Sequence, residues 1–380
     1  MSTLKVNTIR HTGASSDAVT LASDGSCTVK ATNNLSNRNV LINGEMQINQ
    51  RGNAAATGSA AYLSADRWKT QNGSGAQWEV SRSTDSPDGF AYSTKWDCST
   101  ADTSIGAGDY MYITQDLEGQ DVQRFHKGKS TAKKFALQFW IKSTITGTYI
   151  VNLFDSDNNR QIAKAYTISS ANTWEKKTMV FDADTTGAFD ADNAKSLRVT
   201  FWLMAGSNYT SGTLSTTWAA ETSANKAVGQ VNAVSSTSNN VFITGIQLEV
   251  DTCTEFEHRS YGDELRRCQR YFFAIKGNQY DYAGINGYAN SDNTVRFNIQ
   301  FPVPMRSFPS FDGSATACYL DCANDSDPHN VNTFSIIRSS QTTCPTALTI
   351  NKNMGGTTAG EGGQFEFRAD NGYIHISAEL

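Results

Sequence analysis

The stretch Val241–Leu265, VFITGIQLEVDTCTEFEHRSYGDEL, constrains this chain most, because a strand ends and a capped helix begins inside it. In VFITGIQLEV, Phe242, Thr244, Ile246, Leu248 and Val250 alternate with Val241, Ile243, Gly245, Gln247 and Glu249. That period of two is expected of a strand buried mainly on one side. Ser260 stands three positions before Asp263, with Glu264 beside it. This is capping-box spacing: the hydroxyl accepts from an orphan amide, and the carboxylates favour the positive end of a helix. One domain closes here and a second unit begins.

Upstream, residues 37–258 hold roughly ten strand-like runs with no helical pattern between them, so an antiparallel two-sheet jelly roll is expected rather than a parallel βαβ fold. Glycines outnumber prolines 29 to 6, and turn signals recur at intervals that suit sandwiches. The polar stretch from Gly206 to Asn240 reads as a surface excursion, and a loop that long is often functional. Residues 259–274 read as a short linking helix with Leu265 and Cys268 on one stripe. Residues 275–380, with TVRFNIQFPVP, ATACYLDC, TFSIIRSS, ALTINK, QFEFRAD and YIHISAEL, read as a smaller β-sandwich tip. In residues 1–36, Val19 and Leu21 can face Val29 and Cys27 across a turn at Asp24-Gly25. So short a hairpin has no core of its own. It is either a tail or a segment that borrows a core from copies of itself or from a larger particle.

A net charge of -5 gives no basic field for nucleic acid, and no run of eighteen apolar residues or N-terminal apolar signal is present, so neither nucleic-acid binding nor membrane insertion is expected. The seven cysteines are an odd, scattered set, read as reduced structural thiols.

Chemical motifs are few. The histidines His11, His126, His258, His329 and His375 are far apart, and no HExxH, P-loop or GxSxG stands among them. A glycosidase-type carboxylate pair is not legible, and no β-helical repeat appears. No cofactor is expected. Cys318 and Cys322, followed by His329, invite a metal reading, but on a strand they stand about 13 Å apart, too far for one zinc ion. Asp155, Asp157 and Asn159 alternate as calcium ligands do, although a hairpin turn explains them without a metal.

Aromatic residues are the better lead. In KFALQFWIKS, Phe135, Leu137, Phe139 and Ile141 form the apolar face, leaving Trp140 with Gln138 and Lys142. In LRVTFWLMA, Leu197, Val199, Phe201 and Leu203 do the same, leaving Trp202 with Arg198 and Thr200. Tryptophans on polar strand faces suit stacking against sugar rings; the plainer alternative is that a loop or a neighbouring chain covers them. Trp68 and Trp174 read as core or rim, and Trp218, Tyr209, Tyr280, Tyr282 and Tyr288 as surface-loop candidates.

Several of these segments carry a family resemblance. NVLINGEMQINQRG (Asn39–Gly52), Asp66-Arg67-Trp68, KKFALQFWIKS, TWEKKTMVFDAD, and ITGIQLEV followed by FEHRSYGDELRRCQRYF resemble the carbohydrate-binding-module-type jelly rolls in fibre proteins of tailed phages of marine bacteria, cyanophages among them. The opening MSTLKVNTIRHTGASSDAVTLASDG is similar to the start of such fibres. The resemblance implies a non-enzymatic virion fibre or spike, assembled in the host cytoplasm as a homotrimer. Its N-terminal segment would dock on other virion proteins and its β-domains would meet host-surface polysaccharide. It also implies that a structural calcium is possible in the jelly roll. An architectural capsid decoration or tail appendage without receptor binding is the alternative.

Overall fold

Two strands with clean alternation organise the main core: Phe135, Leu137, Phe139 and Ile141 enter it from one sheet, and Leu197, Val199, Phe201 and Leu203 from the other. The computed structural model describes residues 5–15, 17–25, 27–29, 36–58, 60–291, 294–313, 318–322, 329–330, 333–338, 347–353, 360, 362–367, 370 and 372–380. One sheet runs, in spatial order, Glu175–Phe181, Phe135–Ser143, Asn240–Val250, Ser93–Thr100, Gln77–Ser83 and Ala54–Thr57. Facing it is a seven-stranded sheet: Ala219–Ala220, Arg160–Ile168, Gly147–Asp155, Lys195–Ala205, Tyr110–Glu118, Lys69–Asn72 and Ala61–Tyr62. Trp78, Trp96, Tyr149 and Trp68 fill the space between them with the residues above. The chain is all-β with a jelly-roll sandwich, as its alternation predicts.

The strand Asn240–Val250 departs from the simple alternation. Gly245 takes a positive φ of 62° and the pairing with Phe135–Ser143 slips a residue there, a bulge. Val241 and Ile243 face the core before the bulge, and Ile246, Leu248 and Val250 after it, so Phe242 and Thr244 lie on the outer face instead of sharing one side with Ile246. The strand is also buried on both faces. The bulge leaves Ile246 to the segment Asn39–Gly44: its N–H donates to the Gly44 carbonyl at 3.0 Å, and its carbonyl accepts from the Asn39 amide at 2.9 Å.

The helix is Tyr261–Gln269, capped by Ser260 accepting from the Asp263 N–H at 3.2 Å. It is shorter than residues 259–274, because the strand Phe272–Gly277 starts almost at once. Cys268 and the partly buried Leu265 pack with Ile42, Ile48, Tyr271 and Leu380. The C-terminal unit pairs Phe272–Gly277 and Ser310–Gly313 on either side of Gly372–Ser377. A second sheet there contains Cys318–Cys322, Gly362–Phe367, Tyr282–Ser291 and Thr294–Gln300.

A buried polar seam joins this unit to the sandwich and explains Asp66-Arg67-Trp68. The Arg67 guanidinium is wholly buried over the Tyr271 ring at 3.5 Å, pairs with Glu379 and donates to the Asp116 carbonyl at 2.6 Å. Arg51 lies 3.5 Å over the Phe272 ring and meets Glu379 at 3.1 Å. Glu118 takes Arg270 at 2.7 Å. Burial pushes the Asp66 carboxyl up to about 6, against the pull of Arg51 and Gln50.

The N-terminal strands Thr8–Ile9, Val19–Leu21 and Cys27–Val29 form their own three-stranded sheet, with the expected register Val19 to Val29 and Leu21 to Cys27. Ile9 and Leu21 on it, and Val6 just before it, are exposed. Among the described residues, no helix is long and apolar enough to cross a membrane.

Candidate functional site

Trp140 and Trp202 lie on opposite outer faces of the sandwich, one on each sheet, so they do not share a platform. Their local sequences are alike, and their fates differ because different segments return over them.

Trp202 is covered. It is 3% exposed and packs with Ile150, Ala163 and Ala227, with Tyr209 and Leu214 over them. Tyr209 stands 5.3 Å from the Trp202 ring and edge-on to Tyr110 at 5.8 Å. The excursion from Gly206 to Asn240 is thus a cover for this face, built from the helix Ser207–Thr210, the strand Ala219–Ala220 and the turn Ser223–Asn225. Arg198 is taken up by a two-point ion pair to Asp116 at 2.7 and 2.9 Å. Trp218 is structural too: its N–H donates to the Asp182 carbonyl at 2.7 Å and its ring lies 5.6 Å from Phe135. A glycan contact by Trp202, Arg198 or Trp218 is not what this geometry provides.

The outer face carrying Trp140 is also covered over most of its area, Gln138, Thr244 and Gln247 being buried, but it leaves Trp140 half-buried. At Asp251, φ 64°, the chain turns back over its own strand, and buried polar side chains hold it there. Gln138 donates to the Thr254 carbonyl at 2.7 Å, Glu249 accepts the Thr254 N–H at 2.6 Å, and Gln247 accepts the Glu257 N–H at 2.8 Å. Gln138 is therefore a buried brace and not a sugar ligand. The returning segment presents Phe256 and His258, whose rings are 5.0 Å apart. Phe90 joins them at 5.0 and 5.4 Å, set by a turn in which the Ser86 hydroxyl donates to the Phe90 carbonyl at 2.6 Å. Gly245 seats Phe90 next to Trp140: a Cβ there would fall 2.8 Å from the Phe90 ring and 3.0 Å from the Trp140 ring. Trp140 is half-buried, and its indole N–H has no partner among the described residues.

The result is a half-exposed aromatic patch of Trp140, Phe90, Phe256 and His258, fringed by Lys176, Thr178 and the Glu45 carboxylate 3.0 Å from His258. Toward the sheet edge, Trp174 donates to Asp85 at 3.0 Å, and Lys142, paired with Asp85, holds that carboxyl below its usual range. Flat apolar rings beside free donors can stack on a sugar's C–H face and bind its hydroxyls. Sequence reasoning reached Trp140 by strand alternation. It missed Phe90, Phe256 and His258, which come from two loops brought over one glycine.

Asp155 is likewise committed. Its carboxylate accepts the Asp157 and Asn158 N–H groups at 3.0 and 3.1 Å. Its other oxygen meets Lys127 Nζ at 2.5 Å. The ammonium also faces Asp184 at 3.1 Å and the Thr186 and Gly187 carbonyls at 2.9 and 2.8 Å. Lys127 fills the position a calcium ion would take among such oxygens. Asp157 accepts the Asp190 N–H at 3.0 Å, and Asn159, φ 52°, lies at the turn of the hairpin. Among the described residues, no cluster of His, Cys, Asp and Glu could hold a metal ion. Cys318 and Cys322 do lie on one strand, whose side chains fall outside the described residues. In the C-terminal unit, Tyr280 and Tyr288 are 63% and 48% exposed, and Tyr282 begins the strand Tyr282–Ser291.

No protein-family model and no curated protein matches the sequence. Among solved structures, the enzymatically active domain of tailspike protein 4 from bacteriophage CBA120 aligns at 13% identity and a TM-score of 0.30, over 56% of this chain but only 21% of that one. The family 11 carbohydrate-binding module of a Clostridium thermocellum cellulosomal cellulase aligns at 13% identity and TM-score 0.28, over 53% of this chain and 98% of that one. A Bacteroides thetaiotaomicron protein described as a candidate sugar-binding protein aligns at 10% identity and TM-score 0.31, over 56% of this chain and 100% of that one. Likenesses this remote carry no argument about ligands.

Proposed function

We propose that this chain is a non-enzymatic, glycan-binding fibre or spike protein of a virus particle, and that the patch of Trp140, Phe90, Phe256 and His258 is its sugar-binding surface. The observation that carries the binding role is the half-buried Trp140, with an N–H that has no partner among the described residues, set on its sheet among the rings of Phe90, Phe256 and His258. The fibre role rests on the sequence resemblance. It is supported by the N-terminal segment, which exposes Val6, Ile9 and Leu21 and suits packing against copies of itself or a particle. Three chains acting together would convert weak single contacts into useful avidity.

Binding of the purified chain to an array of host-surface oligosaccharides tests this. Trp140→Ala is expected to lower binding about five- to tenfold while leaving the melting temperature nearly unchanged, since stacking of this kind is worth about 1–1.5 kcal/mol. Trp202→Ala, in contrast, removes a buried ring and is expected to cost about 3–5 kcal/mol of stability. If the wild-type chain binds no glycan, or Trp140→Ala binds as well as wild type, the assignment is wrong.

A further inference from the structure

A cavity of about 680 Å³ opens where the helix Tyr261–Gln269 meets the sandwich, directly beside the aromatic patch. His258 belongs to both, lining the cavity while its ring packs against Phe256 and Phe90. Four guanidiniums line the cavity, those of Arg259, Arg266, Arg267 and Arg270. Two of them are committed, Arg259 to Glu264 at 3.1 Å and Arg270 to Glu118 at 2.7 Å. The other two are not. The Arg266 guanidinium is exposed and has no partner among the described residues, and Arg267 donates only to the amide oxygen of Asn37, at 2.6 Å. The lining carboxylates are themselves engaged: Asp263 accepts from the Ser260 hydroxyl at 2.6 Å, and Glu257 accepts the Asn39 N–H at 3.0 Å.

Neither Arg266 nor Arg267 forms an ion pair among the described residues, so an entering anion is attracted by both charges, against the competing field of Asp121 on Arg267. Their planar forks match a carboxylate or a sulfate at two points, and a concave site strengthens the field on such a group. We infer that this cavity receives the anionic group of an acidic polysaccharide, a carboxylate or a sulfate, while a neighbouring sugar ring lies on the Trp140 and Phe256 patch. The inference rests on the glycan-binding reading and adds its ligand class.

The purified chain is titrated with a neutral oligosaccharide, its uronic-acid counterpart and its sulfated counterpart, at low and high salt. Wild type is expected to prefer at least one acidic form about tenfold, as a hydrogen bond to a charged group supplies, and to lose that preference in high salt. The double variant R266Q/R267Q is expected to bind all three alike, with neutral binding and melting temperature as in wild type. Arg266→Lys, which keeps the charge, is expected to retain part of the preference and guards against a merely structural effect. The arm that responds, uronate or sulfate, identifies the anion. Equal wild-type binding to neutral and acidic forms, or an unchanged preference in the double variant, overturns the inference and leaves the glycan reading standing. No binding to any of the three removes both.

Discussion

At the scale of single residues, Lys127 is the clearest case of one chemistry standing in for another. Its ammonium and the carboxylates it meets are all buried, with side-chain exposures of 0% for Lys127 and Asp155 and 4% for Asp184. Replacing it by Ala would leave Asp155 without a cation in a site where water does not reach, so Lys127→Ala is expected to cost about 3–5 kcal/mol by denaturant titration. A chelator should leave the wild-type melting temperature where it was. A drop on chelation would return the site to calcium. Asp66 gives a prediction with a definite sign. Burial raises its carboxyl above the ordinary value to about 6, so between roughly pH 4 and 6 the folded state holds a proton the unfolded chain has already released. This group's contribution to stability is therefore full below about pH 4 and is lost as pH rises through 6. Asp66→Asn cannot ionise, and its stability relative to wild type should rise across that interval when both are melted at a series of pH values. A flat difference would place Asp66 outside the titrating groups of the seam.

At the scale of elements, what the sequence makes legible is what the chain's own periodicity decides. The inward faces of Phe135–Ser143 and Lys195–Ala205 and the cap at Ser260 follow from spacing alone, because burial and capping act on neighbours a few residues apart. The outer faces do not follow. Trp140 and Trp202 read identically as aromatic residues on polar faces, yet one is half-buried and the other sealed by Tyr209 and Leu214 as the chain leaving its strand folds back over it. Periodicity likewise has no means of marking the bulge, since Gly245 fits an alternating pattern on paper and reveals itself only in a φ of 62°. Gly245→Ala tests how much that residue holds. The new methyl would need a left-handed backbone and would press on Phe90 and Trp140. A loss of about 1–2 kcal/mol is expected, together with weaker glycan binding as the rings are pushed apart. An unchanged binding constant would separate the bulge from the site.

At the scale of the whole molecule, the seam decides whether the sandwich and the C-terminal unit unfold as one body or two. Exposed ion pairs such as Lys133 with Asp251 are worth little, because water solvates both partners. The seam differs in that Arg67 is wholly buried and Glu379 nearly so, and Glu379 also meets Arg51. Glu379 is followed by Leu380, whose main-chain oxygen accepts from the Tyr62 hydroxyl at 2.8 Å, so these two residues fasten one unit to the other. Glu379→Gln keeps the shape but removes the charge, leaving the Arg67 cation with only the Asp116 carbonyl and the face of Tyr271. The cost is expected to be about 3–5 kcal/mol, the penalty of an uncompensated buried charge. That loss should appear in both units at once if the seam couples them. Hydrogen exchange at Phe272–Gly277 and at Tyr110–Glu118 should then accelerate in parallel, with a single melting transition at lower temperature. Faster exchange confined to the C-terminal strands, with the sandwich unmoved, would mean that Glu379 anchors its own unit and that the two fold independently.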